Sequence, residues 1–123
     1  MEKTIKERRK KFLDETVAYY SEDVTRRAVD VTCYYRLQCE DGTVKKCAIG
    51  RHIPDDKYRP GIEGGGIHNE NVYNSLPLKI KKLGVLFLSH IQNLHDGNHY
   101  WTTEGLSLEG REKYDEIILT FIY

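Results

Sequence analysis

The chain has no net charge: 19 Lys and Arg balance 19 Asp and Glu. A dedicated duplex-DNA binder shows a basic excess, and a nucleic-acid mimic shows the reverse. The balance therefore argues against both. No apolar run approaches the roughly 20 residues that a spanning helix needs, so no membrane partner is expected. The first eleven residues are basic and lack the apolar stretch of a secretory signal. The three cysteines, Cys33, Cys39 and Cys47, include no Cys-x-x-Cys pair. An odd count without a signal predicts reduced thiols in a cytoplasm, buried as small apolar groups. There is no internal repeat, low-complexity tract or linker. The 123 residues are expected to form one domain, 1–123, large enough for a core without staples.

What is present is a sequence of amphipathic segments. Thr4-Ile5-Lys6-Glu7 matches a capping box. Ile5, Phe12, Leu13, Val17 and Tyr20 then recur at helical spacing, which predicts a helix over 5–20. Its other face, with Lys6, Glu7, Arg9 and Lys10, is expected in solvent. Six basic residues lie within the first eleven, so this end can lean on an anion. A solvated helix face is the plainer reading.

From Val29 to Cys39 apolar residues alternate with period two, predicting one strand. Asp41-Gly42 reads as a two-residue hairpin turn, with Val44 to Ile49 as the return strand. That register sets Cys39 opposite Val44, Tyr35 opposite Ala48, and Arg36 opposite Cys47. Residues 50–74 read as an irregular connection, with Pro54 to Tyr58 as one helical turn and Gly64-Gly65-Gly66 as a mobile loop. Leu83, Phe87, Ile91 and Leu94 mark the central helix, with Leu76, Ile80 and Leu86 beside the stripe. Gly84 marks a break or a close contact, and Asp96-Gly97 the end. Asn98 to Gly105 reads as a loop carrying Trp101. Ser107 caps a last segment, 108–122, whose i,i+4 charge pairs favour helix over strand. The expected fold class is α+β: a small antiparallel hairpin or sheet packed with three helices and a long ordered loop. Two strands alone are marginal, so a third strand or an intermolecular partner is expected.

No complete catalytic set is visible. His95-Asp96 resembles the doublet of metal phosphohydrolases, but the other ligands of such a site are lacking. His90, His95 and His99 with Cys47 or His52 match no zinc spacing, so no metal and no cofactor is expected. Cys47 with a histidine would be a nucleophile pair, but a strand cysteine flanked by Ala48 and Ile49 fits a core. Gly50-Arg51-His52 stands out. It leaves the predicted second strand, where Arg51 can reach a phosphate or carboxylate bidentately. The alternative is structural, with Arg51 paired to Asp96 or Glu63.

Several of these motifs together carry a resemblance. Cys33-Tyr34-Tyr35-Arg36, Asp41-Gly42, the run from Lys46-Cys47-Ala48-Ile49-Gly50-Arg51 to Tyr58, Glu63-Gly64, and Leu88 to Asp96 with Trp101 resemble a family of small, uncharacterised phage and prophage proteins. The resemblance covers about residues 33–123 and implies a shared site or a shared fold anchor at Cys47, Gly50, Arg51, Glu63 and His95-Asp96.

The expectation is thus a non-enzymatic phage-type accessory protein of the host bacterial cytoplasm. It would bind a host protein or sequester a small anionic, nucleotide-like ligand, to counter host defence. The alternatives are a small Cys/His-dependent hydrolase or nucleotide-processing enzyme, and a structural or regulatory oligomer without ligand. The predicted ligand site joins Arg51, His52, Glu63, Gly64, Gly65, His95 and Asp96 on one concave surface. Nine tyrosines and a tryptophan suit an interface, so a homo-oligomer is expected, with Tyr34 or Tyr73 in the contact.

Overall fold

The computed structural model describes residues 3–30 and 32–123, with the side chains of Asp30 and Thr32 left aside. Helix α1 spans Ile5–Glu22, and the Thr4 hydroxyl accepts from the Glu7 backbone N–H as predicted. It buries Phe12, Leu13, Thr16 and Tyr20, whereas Ile5 stays exposed. The face expected in solvent is partly covered. Arg9 donates to the carbonyls of Leu83 and Phe121, and Lys6 to that of Tyr123. Arg9 thereby ties α1 to both later helical segments.

The predicted long strand is in fact two turns of chain. Strand β1 (Val29–Asp30) folds straight back onto β2 (Thr32–Cys33), with Val29 opposite Cys33. Only then does β3 (Arg36–Gln38) pair with β4 (Val44–Lys46). Alternation of apolar residues persists through such a reversal, so period two could not reveal it. The hairpin register also differs by one. Arg36 faces Lys46 and Gln38 faces Val44. The turn has three residues: Cys39 N–H donates to Thr43, Gly42 N–H donates back to Cys39, and Gly42 takes a positive φ of 89°. That is the arrangement of a turn closed by a glycine bulge. The Asp41 carboxylate accepts from both N–H and hydroxyl of Thr43, which stabilises the longer loop. Cys47 consequently lies beyond the strand, not within it.

The central helical region is divided into three. Asn69 caps α2 (Glu70–Asn74), Pro77 precedes α3 (Leu78–Lys81), and α4 runs Val85–Asp96. The break falls at Gly84, whose φ of 98° is left-handed and open to glycine at little cost. Leu83, Phe87, Ile91 and Leu94 form the buried stripe, while Leu86 is exposed. The Trp101 loop contains a third pair, β5 (Trp101–Thr102) with β6 (Gly105–Leu106). Helix α5 spans Leu108–Ile117 behind its Ser107 cap and continues as a wider helical turn to Ile122. Among the described residues three two-stranded antiparallel pairs, three longer helices and two short ones give a small α+β fold.

Tyr20 is fully buried near the centre of the core, edge-on to His95 and Trp101. The Trp101 indole N–H donates to the Leu94 carbonyl, fixing β5 to α4. Among the described residues no helix is long and apolar enough to cross a membrane.

Candidate functional site

The predicted site does not stay together. Gly64, Gly65 and Asp96 do converge. With Gly66, they border a cleft of about 450 Å³ between the glycine loop and α4. Tyr34 and Tyr35 stand on one side, and Ser89, Gln92 and Asn93 of α4 on the other.

Glu63 does not line this cleft. Its carboxylate accepts from the backbone N–H groups of Tyr35 and Arg36 and from the Tyr58 hydroxyl. The two backbone bonds fasten the long connection to the start of β3, and the Tyr58 bond braces the connection within itself. Burial, then the carboxylate itself, pushes the Tyr58 phenol up to about 12. These bonds hold Glu63 as a fold anchor, away from the cleft where the sequence expectation places it with Gly64, Gly65 and Asp96.

His95 is fully buried, and both its ring nitrogens are engaged. The Ala28 backbone N–H lies 3.3 Å from Nε2 and can only donate. The proton therefore sits on Nδ1, which donates to Asp96 Oδ1 at 2.7 Å. Burial lowers the pKa of His95 against the raising effect of Asp96, so the ring is neutral. Asp96 Oδ1 also accepts from Gln92 Nε2. Arg27, which the sequence reading passed over, donates to the carbonyls of His95 and Asp96 and to the Asn98 side chain. A guanidinium at a helix C-terminus meets the orphan carbonyls and the negative end of the dipole. His95 is therefore a link between Ala28 and the end of α4, unable to meet a ligand.

Arg51 and His52 face elsewhere, because Gly50–His52 forms a tight helical turn and no strand end. Gly50 is obligatory there: a Cβ would stand 2.1 Å from the Tyr35 carbonyl oxygen. The turn aims Arg51 at α1. Its guanidinium lies 3.8 Å from the Tyr19 ring centroid and 3.7 Å from Glu15. It reaches neither Asp96 nor Glu63, so both predicted pairings are replaced by Tyr19 and Glu15.

His52 packs on Phe12 and borders a different groove of about 500 Å³ between α1 and α3. Lys3, Arg8 and Lys11 line one side and Lys79 the other, over a floor of Phe12, Ile80 and Leu83. Among the described residues Glu15 is the lone carboxylate on its lining. Burial, with Arg51 adding to it, lowers the pKa of His52 to about 4. The basic run at the N-terminus signalled half of this groove. Lys79 carried no signal, since its meeting with α1 depends on how α3 packs.

Neither Cys47 nor Cys33 is an activated nucleophile. Cys47 is fully buried, accepts from the Gly50 N–H, and burial pushes its pKa up to about 12. Cys33 borders the cleft beside Asp96. Burial and that carboxylate push its thiol up to about 11. A reactive thiol needs the opposite shift. Among the described residues no three His, Cys, Asp or Glu side chains gather as a metal site. Comparison with models of known protein families, with curated proteins and with solved structures finds no match to this chain.

Proposed function

We propose that this is a binding protein without catalysis, which holds a small anionic, nucleotide-like ligand in the basic groove between α1 and α3. The observation that carries the reading is the convergence of Lys3, Arg8, Lys11 and Lys79 over an apolar floor, opposed among the described residues by Glu15 alone. Cations around a phosphate supply charge-assisted hydrogen bonds, and Phe12, Ile80 and Leu83 suit the flat, less polar part of a nucleotide. His52 adds a neutral ring that takes up a proton more readily once an anion lies beside it. The high thiol pKa values and the engaged nitrogens of His95 support binding over conversion.

A phage-type accessory role in a host bacterial cytoplasm, blunting defence by sequestering such a ligand or by engaging a host protein, rests on the resemblance carried by residues 33–123 alone. Self-association belongs to the same proposal. Leu78, Leu86, Leu119 and Tyr123 are exposed apolar groups suited to a contact. Tyr73 is a weaker contact candidate, since its hydroxyl already donates to the Lys81 carbonyl.

The experiment is equilibrium binding of a nucleotide panel and inorganic phosphate, followed by denaturation and mass analysis. Unchanged nucleotide should be recovered. Lys79→Ala and Lys11→Ala should each weaken binding about tenfold, as expected for loss of a hydrogen bond to a charged group. Added salt should weaken it further. Conversion of the nucleotide supports the enzymatic alternative, and absence of any binding overturns the reading.

A further inference from the structure

The cleft beneath the glycine loop has a chemistry opposite to that of the basic groove, and the two share no lining residue. No Lys or Arg side chain is among the residues lining the cleft. Among the described residues Asp96 is the one carboxylate there, its side chain 28% exposed. An anion is repelled from such a place, and a ligand with N–H donors is drawn to it. The carboxylate is held in position: Oδ1 takes the N–H groups of His95 and Gln92, so a donor from the cleft meets Oδ2. Asn93 is exposed on the adjacent turn of α4, with an amide that both donates and accepts. Ser89 pairs with His68 across the rim at 3.2 Å. Tyr34 supplies an aromatic wall.

The glycine loop adds a second line of argument. Gly64 has a positive φ of 83°, which accounts for glycine at that position. Gly66 has no such φ, and a Cβ built there meets no atom within 4 Å. Nothing in the fold requires glycine at 66. Its effect is to leave one wall of the cleft as bare backbone, flat enough for a ring.

We propose that this cleft binds an uncharged nucleobase or nucleoside. The heterocycle lies between Tyr34 and the Gly64–Gly66 backbone, with its N–H edge on Asp96 and its ring acceptors on Asn93. A flat ring carrying both donors and acceptors matches this lining. A phosphate does not. The proposal does not depend on the groove binding anything.

The test is calorimetric titration with guanosine, adenosine and cytidine, with inorganic phosphate and arginine as contrasting probes. At least one nucleoside should bind with Kd below ~1 mM. Gly66→Val and Asn93→Ala should each weaken it about tenfold or more while circular dichroism and melting stay unchanged. Both positions are exposed, so these variants should fold, whereas Asp96→Asn disturbs His95. Lys79→Ala and added salt should leave nucleoside affinity intact. No nucleoside binding, arginine binding in place of nucleosides, or indifference to Gly66→Val would each overturn the proposal. A nucleoside weakened by Lys79→Ala would lie in the groove, which overturns this assignment and leaves the groove reading standing.

Discussion

The guanidinium of Arg51 stacks on the ring of Tyr19, 3.8 Å from its centroid, and this pair joins the turn after β4 to α1. The Arg51 side chain is only 17% exposed, and its Nη1 is buried without a hydrogen-bond partner. Arg51 therefore acts in packing, at an electrostatic cost, and not as an anion receptor in the cleft.

Replacing Arg51 tests that assignment. Arg51→Ala removes the stacking and the packed stem, and should lower stability by about 1–3 kcal/mol. Arg51→Met keeps the stem and eliminates the unpaired nitrogen, so its loss should be smaller. Urea unfolding of both variants measures this. Loss of ligand binding at unchanged stability would instead place Arg51 in a binding site.

Two glycines are held by close approach and not by backbone torsion. A Cβ at Gly50 would stand 2.1 Å from the Tyr35 oxygen, and one at Gly110 2.1 Å from the Tyr100 oxygen. Gly110 lies inside α5, where alanine would ordinarily stabilise by about 1 kcal/mol. Gly50→Ala and Gly110→Ala should nevertheless each destabilise by about 3 kcal/mol or more, since backbone must shift to admit the methyl group. Melting temperatures decide this, and a stabilised Gly110→Ala would contradict the geometry.

The thiols should react in a fixed order. Cys39 is half-buried near the hairpin turn and should label in the native protein. Cys33, raised to about 11, should follow slowly. Cys47, buried and raised to about 12, should react only after unfolding. Peptide mapping after timed alkylation reads the order directly, and rapid native labelling at Cys47 would show that the core is open there.

Acid should weaken the fold through its histidines. An unfolded His binds a proton near pH 6.5, whereas folded His52 does so only at about 4, and burial also lowers His95. As pH falls below 6.5 the unfolded chain takes up protons that the folded chain refuses. Stability is then lost until pH reaches the folded pKa, near 4 for His52. At pH 5 the His52 share is up to about 2 kcal/mol. His52→Gln should flatten the stability profile between pH 7 and 5. A profile as steep as the parent's would place the effect elsewhere.

The local elements were legible where they depend on neighbours in sequence. The Thr4 and Ser107 caps, the Leu83–Phe87–Ile91–Leu94 stripe, the break at Gly84 and the stop at Asp96-Gly97 all follow from short-range chemistry. Strand calculus was less secure. Period two ran unbroken through the β1–β2 reversal, and a glycine bulge moved the hairpin register by one residue. The return strand also stops at Lys46, so Cys47 lies beyond it and Gly50 to His52 forms a helical turn.

By itself the sequence determined the α+β class, the caps at Thr4 and Ser107, the core stripe and the basic character of the N-terminal helix, because caps, periodicity and charge act within a few residues. Tertiary structure alone decided which polar groups remain available. Glu63 is consumed by two N–H groups and a phenol, His95 by Ala28 and Asp96, and Arg51 by Tyr19. Lys79 joins Lys3, Arg8 and Lys11 only because α3 packs beside α1. Most buried polar groups find a partner wherever the fold places them, and those partners lie 27 and 28 residues away for the two N–H groups on Glu63 and 67 away for the Ala28 bond of His95, beyond the reach of any local pattern.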